Sequence, residues 1–301
     1  MSYRLKSRET VADGLKRIFR EEIDSALKQT RRRPQHRGQA VHEFRKHLKK
    51  LRAALSLAAE AVGKNRYDPE DRIVRQVAKV VSSVRDAHVR LQTVIQIRRR
   101  FCNDDFGKVF QRIESLLSLE AESFAAAAAG WEKQVVRKLR GVEKRVSQWP
   151  LEDLTPKQIC SAVAKSYRRG RDRLADALKK PEPENFHSWR KEVKQLWYQL
   201  RILAPLNRVV LEEIARDAKT LGELLGQQHD FVFLLSRLDQ ERDDELIRSE
   251  RTKLEKLIRR RNRKLQRAST ELGRRFYAES PKAFAKRISI FIKDWAGAKK
   301  K

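Results

Sequence analysis

Two stretches carry the residues best suited to chemistry. VHEFRKHLKKLRAAL (41–55) and FHSWRKEVKQLWYQL (186–200) share the spacing H-x-x-R-x-x-x-K, set by His42, Arg45 and Lys49 in the first and His187, Arg190 and Lys194 in the second. Lys46 and Lys191, Leu51 and Leu196, and Leu55 and Leu200 coincide as well, and aromatic Phe44 faces Trp189. Spacings of three and four return to one side of a helix. At about 100° per residue, Arg45, Lys46, Lys49 and Arg52 fall within about 80° of His42. Val41, Phe44, Leu48, Leu51 and Leu55 take the opposite side. In the second stretch His187, Arg190, Lys191, Lys194, Tyr198 and Arg201 share one face, and Phe186, Trp189, Val193, Leu196 and Leu200 the other. A solvated helix face usually mixes signs, because neighbouring like charges repel. These faces are nearly pure cation, the pattern of a surface that holds an anion.

The run H-E-F-R-K-H also comes within one residue of the helical zinc-protease pattern. That pattern needs histidines four apart on one face. His42 and His47 are five apart, about 140° around a helix, so His47 points away and the sequence implies no metal site. No GxxxxGK or GxGxxG phosphate loop occurs, and GQQHD (226–230) resembles neither. Cys102 and Cys160 form no nucleophile signature, disulfide framework or zinc spacing. No cofactor is called for.

The elements that must present these faces are helical. Apolar periodicity of the helical kind recurs throughout, no alternating strand is visible, and only 11 Gly and 8 Pro interrupt 301 residues. The expected helices are 8–30, 39–61, 70–100, 105–129, 132–147, 156–179, 184–204, 208–227, 230–247, 249–275 and 282–296, with the best midpoint boundary at QWPLEDLTP (148–156). Asp86 and Asp230 then begin helices, as N-caps or as orienting groups for basic side chains. Lys plus Arg number 70 against 40 Asp plus Glu, a formal charge of +30 spread along the whole chain. Such an excess implies a polyanionic partner. The opening residues lack the apolar core of a signal peptide and no apolar run could span a bilayer, so the expectation is a cytoplasmic protein.

Further echoes extend the repeat. VRDAHVRLQTVI (84–95) sets Asp86 over Asp230 of QHDFVFLLSRL (228–238), and KRIFREEIDSAL sets Arg17, Arg20 and Leu27 against Arg168, Arg171 and Leu178 of RRGRDRLADAL. The order suggests a duplicated helical unit.

These motifs, with SYRRGRDRLADAL and LGELLGQQHD, resemble the CHAD family of histidine-containing α-helical domains over roughly residues 8 to 275. The resemblance implies an all-α fold of two pseudo-symmetric four-helix bundles facing each other across a basic pore or groove. It implies a first repeat at 8–130, a connecting helix and linker at 131–155, and a second repeat at 156–275, followed by a basic amphipathic C-terminal helix at 276–301. The implied function is non-catalytic binding of inorganic polyphosphate, with polyphosphate granules as the associated location. The implied pore-lining residues are His42, Arg45, Lys49 and Lys50, then Arg85, and in the second half Arg168, Arg171, His187, Arg190, Lys194 and Tyr198. The basic faces add Lys46, Arg52, Lys191 and Arg201, and the weaker echo adds Arg17 and Arg20. Gln195 departs from the pattern where a base is usual, Trp197 where Arg is common and His229 where Asn is usual. No ExExK strand of a fused triphosphate-tunnel enzyme occurs.

Two other classes compete. A nucleic-acid-binding protein suits a basic helical chain, but aromatics are only 7% of it, and only Tyr198 falls on a basic face to stack a base. A phosphate-transfer or hydrolysis enzyme would need carboxylates holding a divalent metal beside the cations. The C-terminal helix, with Phe284, Ile288, Phe291, Ile292 and Trp295 on one side, suits packing on its own domain or contact with an anionic membrane or partner.

Overall fold

The computed structural model describes residues 3–31, 37–101, 106–127, 131–241 and 245–297, and among them every regular element is helical and no strand occurs. The helices are α1 (Val11–Gln29), α2 (Arg37–Val62), α3 (Lys64–Val80), α4 (Ser82–Phe101), α5 (Gly107–Ala127), α6 (Trp131–Ser147), α7 (Pro156–Lys179), α8 (Pro183–Leu203), α9 (Arg208–Gln240), α10 (Arg248–Phe276) and α11 (Pro281–Gly297). Several start where side chains satisfy the free N–H groups of a first turn. Thr10 accepts from the Asp13 N–H, Asn207 from Val210, and Ser280 from Ala283. Thr155 and Gln158 form a reciprocal capping box ahead of α7, with Pro156 in its first position.

Three expected boundaries are corrected. The segment read as one helix over 70–100 is two, α3 and α4, separated at Val81. The Ser82 hydroxyl takes the Lys79 carbonyl there, which satisfies an acceptor the break would otherwise orphan. The break expected over 63–69 is confined to Gly63, which adopts φ 78° and so turns the chain where a residue with a Cβ would be strained. Conversely 208–227 and 230–247 are largely one helix: α9 runs unbroken through Gln227–Asp230 to Gln240. Asp230 is therefore interior and Asp86 sits a full turn inside α4, so neither caps a helix.

The apolar faces expected of the two motif helices are the buried ones. Val41, Phe44, Leu48, Leu51 and Leu55 of α2, and Trp189, Val193, Leu196 and Leu200 of α8, are sealed from solvent. Helices α1, α2, α3 and α6 pack on one another, and α8 lies between α7 and α9. The two groups meet where α2 contacts α7 and α8, and share one hydrophobic core. At that seam Ser56 of α2 accepts hydrogen bonds of 2.8 Å from both Gln195 and Gln199 of α8. Gln195, a departure from the motif, thus joins the helices instead of carrying charge. A second, smaller core forms where the α4–α5 hairpin meets the end of α9 and the start of α10, around Val94, Phe110, Ile113, Phe231, Leu234 and Leu254.

Helix α11 packs on α7 with Phe284, Ile288 and Ile292 buried in the main core, which settles its apolar face as internal. Among the described residues no helix is long and apolar enough to cross a membrane. Trp189 marks the best-packed point of the second group: a Cβ added at Gly273 of α10 would lie 2.5 Å from its ring. Trp189→Ala is expected to destabilise the fold by about 3–5 kcal/mol, through lost burial and a residual cavity. Denaturant unfolding followed by circular dichroism measures it.

Candidate functional site

The site is built from α8 lying across α9. His187, Arg190 and Lys194 occupy successive turns of α8 and are each part-buried against α9. Two glycines of α9, Gly222 and Gly226, make this possible: they are four residues apart, hence on one face. A Cβ at Gly222 would come 2.9 Å from the Lys194 side chain, and one at Gly226 would come 3.3 Å from Arg190 Nε. The bare backbone gives the two long side chains a floor to lie on. His187 stacks on His229 of α9 with ring centroids 4.6 Å apart, and His229 Nδ1 lies 3.9 Å from Asp230. Lys194 Nζ sits 3.9 Å above the Trp197 ring, and Arg201 lies over the same ring and over Tyr3.

Among the described residues no carboxylate ion pair neutralises Lys194, and its ammonium shows the cost. Burial, then the repulsion of Arg190, Arg201 and Lys219, pushes its pKa down to about 8 against the opposing pull of Glu223. Burial likewise drives the His187 pKa down to about 4, helped by the positive charge of His229, Lys191, Arg190 and Lys49. Nδ1 of His187 is buried with no hydrogen-bond partner among the described residues. The appearance of Lys49 in that set matters, because it belongs to α2. The cationic faces of the two motif helices therefore feel each other.

On α2 the expected cations divide by role. His42, Lys46 and Lys49 are exposed, with Lys46 paired to Glu43 at 3.0 Å. Arg45 donates to the Ala78 carbonyl of α3 at 2.6 Å. Lys50 is turned inward to the buried Glu22 at 3.2 Å, beside His47, whose Nδ1 is 2.6 Å from the same carboxylate. His47 thus points away from His42 and ties α2 to α1.

Other expected site residues lie elsewhere. Arg17 is held by Glu9 and Glu21, and with exposed Arg20 it lines a cavity of about 550 Å³ against α6. Arg171 is exposed on α7 near Tyr167, on the side of Arg287 and Glu279 toward α11, and Arg168 is exposed beside it. Helix α7 instead turns Lys165 and Arg169 toward α8. They join Arg52, Lys191 and Gln195 around a cleft of about 530 Å³, where Arg169 pairs with Glu192 and Lys165 with Glu60. Arg52 is bound to Asp71 at 2.7 Å. Tyr198, expected on an open basic face, is buried with its ring edge on Tyr3, centroids 6.0 Å apart, and burial raises its pKa. The side chain of Arg85 lies outside the described residues, although its backbone is within α4.

The residues that motif spacing alone does not reveal are Gly222, Gly226, Trp197, His229 and Tyr3. A small-x-x-x-small spacing in LGELLGQQHD is the one available signal for the first pair. Chemically the arrangement offers Arg forks and Lys point charges to a multiply charged anion. Among the described residues no three His, Cys, Asp or Glu side chains cluster as a metal site. In comparisons with known proteins, a family model described as CHAD domain matches residues 17–239, about three quarters of the 301-residue chain. No curated protein matches.

The two depressed pKa values can be read directly. In the free protein, NMR titration should find His187 neutral down to about pH 4 and Lys194 losing its proton near pH 8. The His187 shift carries a stability consequence of defined sign. As pH falls below the ordinary 6.5 toward about 4, the unfolded chain takes up the proton first, so this histidine lowers stability across that window.

Proposed function

The chain belongs to the CHAD family, and from that premise we propose that it binds inorganic polyphosphate without catalysing its chemistry. The polymer lies along the cationic faces of α2 and α8. The observation that carries this reading is the row of His187, Arg190 and Lys194 on the glycine floor of α9, within electrostatic reach of Lys49. Burial, and then the repulsion of neighbouring cations, depresses two of their pKa values, and an anion placed among them relieves the repulsive part. Polyphosphate is a flexible polyanion with no bases to read, so closely spaced cations suffice. A duplex or single strand would gain from exposed aromatics, yet Phe44, Trp189 and Tyr198 are buried and Trp197 is covered by Lys194 and Arg201.

The order of elements supports a duplicated unit spanning roughly 8–130 and 156–275. The motif helices α2 and α8 each follow a helix with the weaker Arg echo, and α9 runs unbroken where α3 and α4 run end to end. We read these units as two helical bundles facing each other across a basic groove, with His42, Arg45 and Lys49 on one wall and His187, Arg190 and Lys194 on the other. Granule association within the cytoplasm follows from the ligand.

Titration with polyphosphate tests this. His42→Ala/Lys49→Ala and Arg190→Ala/Lys194→Ala are each expected to weaken binding by about tenfold or more, at about 1.4 kcal/mol per decade, with circular dichroism unchanged. Arg45 is left intact because it holds α3. Affinity falls steeply with salt. It also falls as pH rises past about 8, where Lys194 deprotonates, and Lys194→Arg flattens that alkaline limb. Unchanged affinity in the folded variants sinks the site. Preference for RNA or duplex DNA in competition, or phosphate release with magnesium or manganese, overturns the ligand or the non-catalytic role.

A further inference from the structure

Helix α10 lies wholly beyond the residues matched by the family and is the most one-sided charge distribution in the chain. Between Glu255 and Glu271 there is no acidic residue. Lys256, Arg259, Arg260, Arg263, Lys264 and Arg267 are all exposed. At about 100° per residue they cover an arc of about 140°, opposite the buried Leu254, Ile258 and Ser269. Along the axis they extend about 17 Å at 1.5 Å per residue. Ion pairs of α10 lie toward its ends, Arg248 with Glu245, Arg251 with Glu255 and Arg275 with Glu271; none of the six cations makes a side-chain hydrogen bond or ion pair among the described residues.

The spacing repeats like charge at i,i+4 four times, 256/260, 259/263, 260/264 and 263/267. Each such pair destabilises the helix. Nothing in the fold compensates, since the face is turned away from both cores. No exposed large apolar side chain lies on α10, which removes the wedge an interfacial helix needs at a lipid surface. No aromatic lies on the arc to stack a base. What remains is a straight row of phosphate-binding cations without sequence-reading groups.

We propose that this face of α10 is a second contact tract for the same polyphosphate chain, so that long polymers engage both α10 and the α2–α8 site while short ones reach only the latter. The inference rests on the polyphosphate reading of that site. A second tract on one flexible ligand raises affinity by effective concentration, without any change at the first.

The experiment compares long-chain polyphosphate with a short oligophosphate, on wild type and on Arg259→Gln/Arg260→Gln/Arg263→Gln/Arg267→Gln. The variant should lose tenfold or more in affinity for the long chain, show a flatter salt dependence for it, and bind the short one unchanged. Its unliganded thermal midpoint should rise as the repulsion is removed, which certifies folding. Equal loss for both lengths, or loss for neither, overturns the second tract while leaving the first site standing. Loss of RNA binding with long-chain affinity retained assigns the face to nucleic acid and overturns it as well. A wild type that binds neither polyphosphate overturns both readings.

Discussion

Like charges gathered on one face of a helix cost free energy, and the rest of this structure is organised around carrying that cost. The basic faces of α2 and α8 persist because the opposite faces of the same helices are sealed in the main core by Phe44, Leu51, Trp189 and Leu196. Burial of apolar area is large and non-directional, so it can anchor a helix whose outer face repels itself. His187 and Lys194 both hold their protons less tightly than free side chains, first because they are buried and then because neighbouring cations repel them.

The remaining cations are distributed by a different rule. Among α1, α2, α3 and α6, several cations at helix contacts meet a buried carboxylate. Glu22 takes Lys50 and His47, Asp71 takes Arg52 and Arg75, and Glu70 takes Arg145. These buried acids tie α1, α2, α3 and α6 together, and their partners serve the fold. The glycine pair of α9 adds a steric device, since it lets Arg190 and Lys194 lie flat against the next helix and remain partly desolvated, where their charge is felt most strongly.

Much of this was legible in the residues. The helical class, the buried stripes of α2 and α8, the outward turn of His42 away from His47 and the pairing of the two motifs all follow from period and side-chain type. Less legible was the use of each cation. Lys49 and Lys50 are neighbours of identical chemistry, yet one is exposed and the other is committed to Glu22 of α1, which packs on α2. Arg168 and Arg169 differ in the same way: a rotation of about 100° puts the second, not the first, beside Glu192.

The sequence by itself determined that the chain is helical, that its charge is strongly positive and that two of its helices are amphipathic with a cationic side, because these depend on local periodicity and composition. Only the tertiary structure decided which cations meet a carboxylate and which lie against the backbone of a neighbouring helix. That depends on which helices become neighbours, on Gly222 and Gly226 permitting a close approach, and on carboxylates arriving from segments far away in the chain. Electrostatic energy is set by distance in space and by burial, and neither is written in the order of the residues.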